Sequence, residues 1–243
     1  MKRARFHLYG PLRDFLPREQ RHGIVEMVFR GPQTVKHLVE SIGVPHPEVA
    51  RIEVQGRGPV SWKHRVEDGE TVHVYPYRPG EAWPFSHPPR FVADGHLGRL
   101  TAYLRLMGFD TLYNAAWEDP QLAHFAAAEE RILLTRDQGL LKRNQVRFGY
   151  WLRALRPEEQ LREVVRYFQL QRWVRPFRRC AKCNTPLEDV AKEQVAHRLP
   201  EYIRLHHHHF RHCPQCQRVY WAGSHVTRLQ ALFRRVLDEA AQG

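Results

Sequence analysis

The sequence predicts a multidomain chain of α/β and α+β modules, and three observations carry that expectation. Within the first 80 residues, short strands with alternating apolar positions surround one amphipathic helix in the order ββαββ. From residue 90 onward, short apolar strands alternate with helices, as in a parallel sheet with crossover helices. All four cysteines fall in two Cys-x-x-Cys pairs towards the C-terminus. The length of 243 residues also exceeds one modal domain of roughly 100–150. The expected modules are 1–77, a proline-rich linker at 78–89, an α/β core at 90–172 and a cysteine-bearing region with a C-terminal helix at 173–243.

In the first module, Arg3-Ala4-Arg5-Phe6-His7-Leu8-Tyr9 alternates with period two and ends at Gly10-Pro11. A second strand, Ile24–Phe29, stops at Gly31-Pro32. Thr34 is placed to cap a helix through Val35, Leu38, Val39 and Ile42, with Gly43 as its terminator. Strands follow near Ala50–Val54 and Thr71–Tyr75, the latter after an Asp68-Gly69 turn. This order resembles the β-grasp, and the phrase Val66–Val72 is similar to the approach to the final strand in the ubiquitin-like sulfur-carrier group. Those carriers act through a free C-terminal Gly-Gly tail. Here the strand runs on into Tyr77-Arg78-Pro79-Gly80-Glu81, so a docking or stabilising module with a protein partner is expected instead.

Four prolines between Tyr75 and Pro89 remove backbone donors and mark the linker. A short strand, Arg90–Ala93, then ends on Asp94. Leu97, Leu100, Leu104 and Met107 recur at three- and four-residue spacing, one apolar helical face closed by Gly108. A second strand covers Phe109–Tyr113. Asp119 is expected as an N-cap with Pro120 at the first helical position, and Arg131–Asp137 is a strand that again ends on a carboxylate. Ligand sites of such sheets lie outside the carboxyl ends of the strands. Clustered carboxylates need a cation between them, and hard divalent ions such as Mg²⁺ take oxygen ligands. The matching chemistry is attack of a metal-activated water on a phosphodiester. The competing reading is that each Asp is only a turn residue or a helix cap.

The stretch Phe91–Asp94, Leu97–Leu100 and Leu104–Asp110 resembles the Mut-seven C-terminal RNase family, a compact PIN-like group. Asp119–Ala123 and Arg131–Asp137 are similar to the wider PIN pattern, in which an acid opens a helix and a later strand ends in Thr-x-Asp. The resemblance implies a ribonuclease using Mg²⁺ or Mn²⁺. By position, Asp94 is its first acid, Asp119 the helix-opening acid and Asp137 the acid of the Thr-x-Asp. The family's further acid on an intermediate helix has no clear counterpart, and Asp110 is its substitute here. Thr135 is assigned to position a ligand or water, and Arg99 and Arg136 to meet phosphate, against a plain surface role for each arginine.

Cys180-Ala-Lys-Cys183 and Cys213-Pro-Gln-Cys216 have the spacing of two zinc knuckles that place four thiolates on one structural Zn²⁺. A redox role is the competitor, which two symmetric pairs disfavour. The RNase resemblance extends over this ribbon to Val219–His225. His206–His209 is expected to be an exposed polar segment, and His225 to sit at a helix start or in packing.

Charge sharpens the functional expectation. The net +12 divides into 13 basic and 9 acidic groups over residues 1–80, 8 and 8 over 81–150, and 17 and 9 over 151–243. Arg172, Arg175, Arg178 and Arg179 are interleaved with Trp173 and Phe177, a pattern suited to single-stranded RNA. With 42% hydrophobic residues and four cysteines, the composition is that of a folded chain rather than a disordered or disulfide-built one. No run approaches the roughly 20 apolar residues of a membrane span, and MKRARFHLYG carries no signal-like apolar run, so a cytoplasmic protein without membrane contact is expected. Two other readings stay open: an inactive RNA-binding adaptor, and a protein-interaction module built around the β-grasp.

Overall fold

A computed structural model describes residues 1–242. The chain forms two compact units, Met1–Pro84 with Glu118–Trp151, and Phe85–Trp117 with Leu152–Gly243. Segment 90–172, expected from the sequence as one core, thus contributes to both.

In the first unit, β1 (Lys2–Leu8), β2 (Ile24–Phe29), α1 (Val35–Ile42), β3 (Val49–Val54), β4 (Gly58–Val60) and β5 (Thr71–Pro76) follow in order. The sheet runs β2-β1-β5-β3-β4, with β1 antiparallel to β2 and parallel to β5. That is the β-grasp arrangement. Period-two alternation turns Ala4, Phe6, Leu8, Ile52, Val54, Val72 and Val74 into one core with Val35, Leu38 and Val39 of α1. Thr34 Oγ1 accepts from His37 N at 3.3 Å, and Gly43 at φ 124° ends the helix, as expected. Strand β4, not marked in the sequence, lies at the sheet edge, where Gly58-Pro59 is tolerated.

After the linker come β6 (Phe91–Ala93), α2 (Gly98–Leu106), β7 (Thr111–Tyr113), α3 (Asp119–Ala128), β8 (Ile132–Thr135), α4 (Gln138–Leu141) and β9 (Gly149–Trp151). β8 and β9 of the first unit are parallel, and β6 and β7 of the second unit are likewise. Within the first unit, residues 118–151 are bound to the β-grasp by polar contacts. Glu48, only 1% exposed, accepts from Trp151 N at 2.6 Å. His46 reaches Val146 O at 2.7 Å, and the Phe15 and Trp151 rings lie 4.9 Å apart.

The second unit continues with α5 (Pro157–Phe168), β10 (Glu188–Val190), α6 (Lys192–Val195), α7 (Glu201–His206), β11 (Phe210–His212), β12 (Val219–Trp221) and α8 (Ser224–Ala241). Strands β10-β11-β12 form an antiparallel sheet around the cysteines. Helix α5 packs against α2 and α8, and Phe91 meets Phe109 and Phe168 edge-on at 5.9 Å each. The mixed α/β class expected from the sequence is the one observed.

Candidate metal centre and active-site carboxylates

The two cysteine knuckles share one backbone design. Cys180 N donates to Thr185 O at 2.8 Å and Asn184 N to Cys180 O at 3.0 Å. In the second knuckle Cys213 N donates to Arg218 O, and Gln217 N to Cys213 O, each at 2.9 Å. Asn184 and Gln217 occupy equivalent left-handed positions, φ 71° and 61°. This curl brings all four sulfurs within 4.8 Å of one another. Cys180 and Cys216 Sγ are 3.5 Å apart, and Cys183 and Cys213 Sγ 3.3 Å. A disulfide would need about 2.05 Å. Tetrahedral zinc at 2.3 Å from sulfur would set the edges near ~3.8 Å, so the donor set fits one zinc ion. Burial opposes ionisation of Cys183, but bonding to Thr185 and the neighbouring thiols brings it to about 6, whereas burial pushes Cys216 up to about 12. Four thiolates together therefore require a cation.

The centre rests on residues that the sequence did not single out. Arg105 of α2, 4% exposed, donates to Thr111 O at 2.9 Å and to the carbonyls of Ala181 and Lys182 at 3.2 and 2.7 Å. Asn184 Oδ1 accepts from Thr111 N at 3.0 Å, and its Nδ2 donates to Asp110 Oδ1 at 2.7 Å. Tyr220 Oη lies 3.1 Å from Cys180 Sγ and accepts from Ala181 N at 3.1 Å. Apart from Thr111 O, six residues from Arg105, their partners are tens of residues away in sequence, so only the folded chain reveals them.

The carboxylates occupy different positions in the fold. Asp94 follows the carboxyl end of β6 and its side chain does not cap the turn at Gly95–Leu97. Beside it, Tyr113 Oη donates to Gly95 O at 2.8 Å. Asp110 precedes β7, and β6 and β7 are parallel, so it stands at the opposite strand end from Asp94. There it holds Asn184, with Arg179 Nη2 at 3.8 Å. The structure does not bring Asp110 and Asp94 together, and among the described residues the four cysteines are the one group of three or more His, Cys, Asp or Glu gathered closely enough to share an ion.

In the first unit, the expected N-cap at Asp119 is displaced by one residue. Glu118 is the N-cap, its N–H bound by Gln121 Oε1 at 3.0 Å, and Asp119 begins α3. Glu118 already has the extended backbone of a cap. Asp119 is therefore released from capping, and its carboxylate stands 3.5 Å from Arg143. Asp137, exposed after β8, caps α4 through Oδ1, which accepts from Gly139 N at 2.6 Å and Leu140 N at 3.4 Å. Thr135 Oγ1 accepts from Asp137 N at 2.9 Å, and Trp151 Nε1 donates to Arg136 O at 3.1 Å.

Residues 89–233 match the family described as Mut7-C RNAse domain, and residues 1–82 match Mut7-C ubiquitin. The chain belongs to the Mut7-C family. The Mut7-C match spans Asp94, Asp119, Asp137 and all four cysteines. A solved structure described as molybdopterin converting factor, subunit 1, from Pyrococcus furiosus is similar over 32% of this chain and 100% of its own, at 23% identity and a TM-score of 0.25. No curated protein matches.

The arginines of this Mut7-C chain differ in how far they are engaged. Arg99, Arg136, Arg172, Arg175 and Arg178 are exposed. Arg172 lies over the Trp173 ring at 3.9 Å, and Arg179 Nη1 donates to Asn184 O at 3.0 Å. His206, His208 and His209 are exposed and His207 is half-buried, between α7 and β11. His225 lies in the first turn of α8. Among the described residues no helix is long and apolar enough to cross a membrane.

Proposed function

We propose that the chain is a metal-dependent ribonuclease in which Asp94, Asp119 and Asp137 hold Mg²⁺ or Mn²⁺ and the zinc-ribbon region grips RNA. The Mut7-C RNAse match, which brackets all three carboxylates, carries this reading. The donor chemistry fits a hard cation. Asp137 spends Oδ1 on the α4 cap and keeps Oδ2 for a ligand role, while the Arg143 contact of Asp119 is an exposed pair that a cation displaces at little cost. When bound, the ion would supply water activation and offset charge on the scissile phosphate. Thr135 holds the Asp137 backbone, and the exposed guanidiniums of Arg99 and Arg136 are suited to phosphate oxygens. In this reading 1–77 is the protein-binding or stabilising β-grasp, 78–89 the linker, 90–172 the RNase core and 173–243 the ribbon. The four thiols point to a reducing, cytoplasmic compartment.

A second reading has its own support. The capping by Asp137 and the ion pair of Asp119 are what an inactive RNA-binding adaptor would retain. Cleavage of labelled single-stranded RNA by zinc-loaded protein with Mn²⁺ separates the two. The ribonuclease reading expects cleavage that chelation abolishes and that Asp137→Asn lowers at least about 100-fold, since outer-shell partners alone contribute 10–100-fold. Salt-sensitive RNA binding without cleavage would establish the adaptor.

A further inference from the structure

The segment between Tyr202 and Gln230 carries a cavity that the nuclease chemistry leaves without a role. It has a volume of about 780 Å³ and is walled by Tyr202, His207, Tyr220, Trp221, His225 and Thr227. A second cavity, of about 360 Å³, shares Tyr220 and Trp221 and adds Phe177, His209 and the ion-paired Asp189 and Arg211. Both fall in the size range of ~300–1,000 Å³ typical of ligand sites. The half-buried Trp221 thus borders space in both cavities. We propose that this groove binds an unpaired nucleotide of single-stranded RNA, its base stacked on Trp221. The proposal rests on the RNA reading above and gives it an address.

Charge selects the occupant. Residues 202–230 contain four arginines, six histidines and no acidic residue, and Asp189, the acidic residue lining the smaller cavity, is paired with Arg211 at 2.8 Å. The first turn of α8, whose Ser224, His225 and Thr227 line the larger cavity, carries no acidic side chain either. A polyanion is attracted here and a polycation repelled. Aromatic walls distinguish RNA from an acidic peptide, because every base offers a π-face and stacking tolerates any sequence. Around the rings, imidazoles and hydroxyls supply donors and acceptors for base edges, 2′-hydroxyls and phosphate.

The zinc centre keeps the groove in shape. Tyr220 Oη is held against Cys180 Sγ and Ala181 N, so this wall is pinned to the first knuckle. Trp221 pairs with Phe210 across β11 and β12 and packs against the cluster formed by Val195, Leu199 and Phe210. At the rim, the ring of Tyr202 lies 4.4 Å from that of His206. The histidine run therefore has a place beside an aromatic groove.

The test is fluorescence anisotropy of a labelled 12-nucleotide single-stranded RNA with the full zinc-loaded chain, without Mg²⁺ or Mn²⁺. Trp221→Ala is expected to weaken binding between about 5- and 150-fold, the range for one base losing its aromatic face, and Trp221→Phe to restore most of it. Polyglutamate is expected to compete poorly. Tyr202→Ala provides the control for folding, because Tyr202 is 67% exposed and its loss leaves the core intact. If Trp221→Ala loses zinc, Tyr202→Ala decides alone, with at least a twofold loss supporting the groove. Wild-type affinity in both variants, or equal displacement by polyglutamate, overturns it. Absence of RNA binding by the wild type fails the RNA reading itself and the groove with it, whereas binding that ignores both rings fails the groove alone.

Discussion

Arg105 carries a buried positive charge beneath a centre built from four cysteines. Its guanidinium satisfies three carbonyls, two of them within the first knuckle, and burial lowers its pKa against the opposing effect of Cys180 and Cys183. With zinc bound, four thiolates would leave the centre at net charge −2, which the Arg105 cation would offset. Arg105→Ala is expected to cost about 3 kcal/mol, because carbonyls are left unsatisfied, and to weaken zinc about 10–100-fold. Urea unfolding and chelator competition measure the two effects, and an unchanged zinc affinity would reduce Arg105 to a packing residue. The cysteines were legible in the sequence because their spacing alone encodes a knuckle. Arg105 and Asn184 were not, since the contacts that tie α2 and β7 to the knuckle span 73–77 residues and nothing local marks them. Asp119 shows the limit of local rules. Asp before Pro reads as a cap, yet the backbone turns extended one residue earlier, at Glu118.

Among the elements, α2 illustrates how a helix end positions a site. Gly108 N donates to Arg105 O and Phe109 N to Leu104 O, each at 2.9 Å, a Schellman-type close. Gly108 has φ 103°, and a Cβ there would lie 2.5 Å from Arg175 O. The chain leading to the knuckle crosses at this point, with Arg175 N bound to Met107 O and Phe177 N to Leu106 O. Gly108→Ala is expected to destabilise the fold by about 1–3 kcal/mol through strain in a backbone that cannot yield. Calorimetry that found no change would place the crossing strand elsewhere. The sequence marked Gly108 as a stop but not the crossing. Elements with strong periodicity, β1, β2, α1, β5 and α2, were readable. Strands β4 and β9–β12 are three residues each, too short for alternation to register, and unlike the equally short β6 and β7 they do not flank the strongly periodic α2.

At the scale of the whole molecule, the charge division anticipated much of the functional reading. The neutral middle holds the acids proposed as ligands, and the basic last third holds the knuckles and the aromatic groove. The association of 118–151 with the β-grasp was not anticipated, because it depends on Glu48, His46 and Phe15, which look like ordinary loop and core residues. The β-grasp thereby acquires a role within the chain. Its buried Glu48 holds Trp151, whose indole holds the carbonyl preceding Asp137. The central proposal is that Asp94, Asp119 and Asp137 are ligands for a divalent cation. Electron paramagnetic resonance titration of Mn²⁺ into zinc-loaded protein tests it most directly. Mn²⁺ binding is expected in the wild type, weakened at least about tenfold in each of Asp94→Asn, Asp119→Asn and Asp137→Asn. Wild-type Mn²⁺ binding in all three variants would contradict the account and leave Asp137 as a cap and Asp119 as an ion-pair partner.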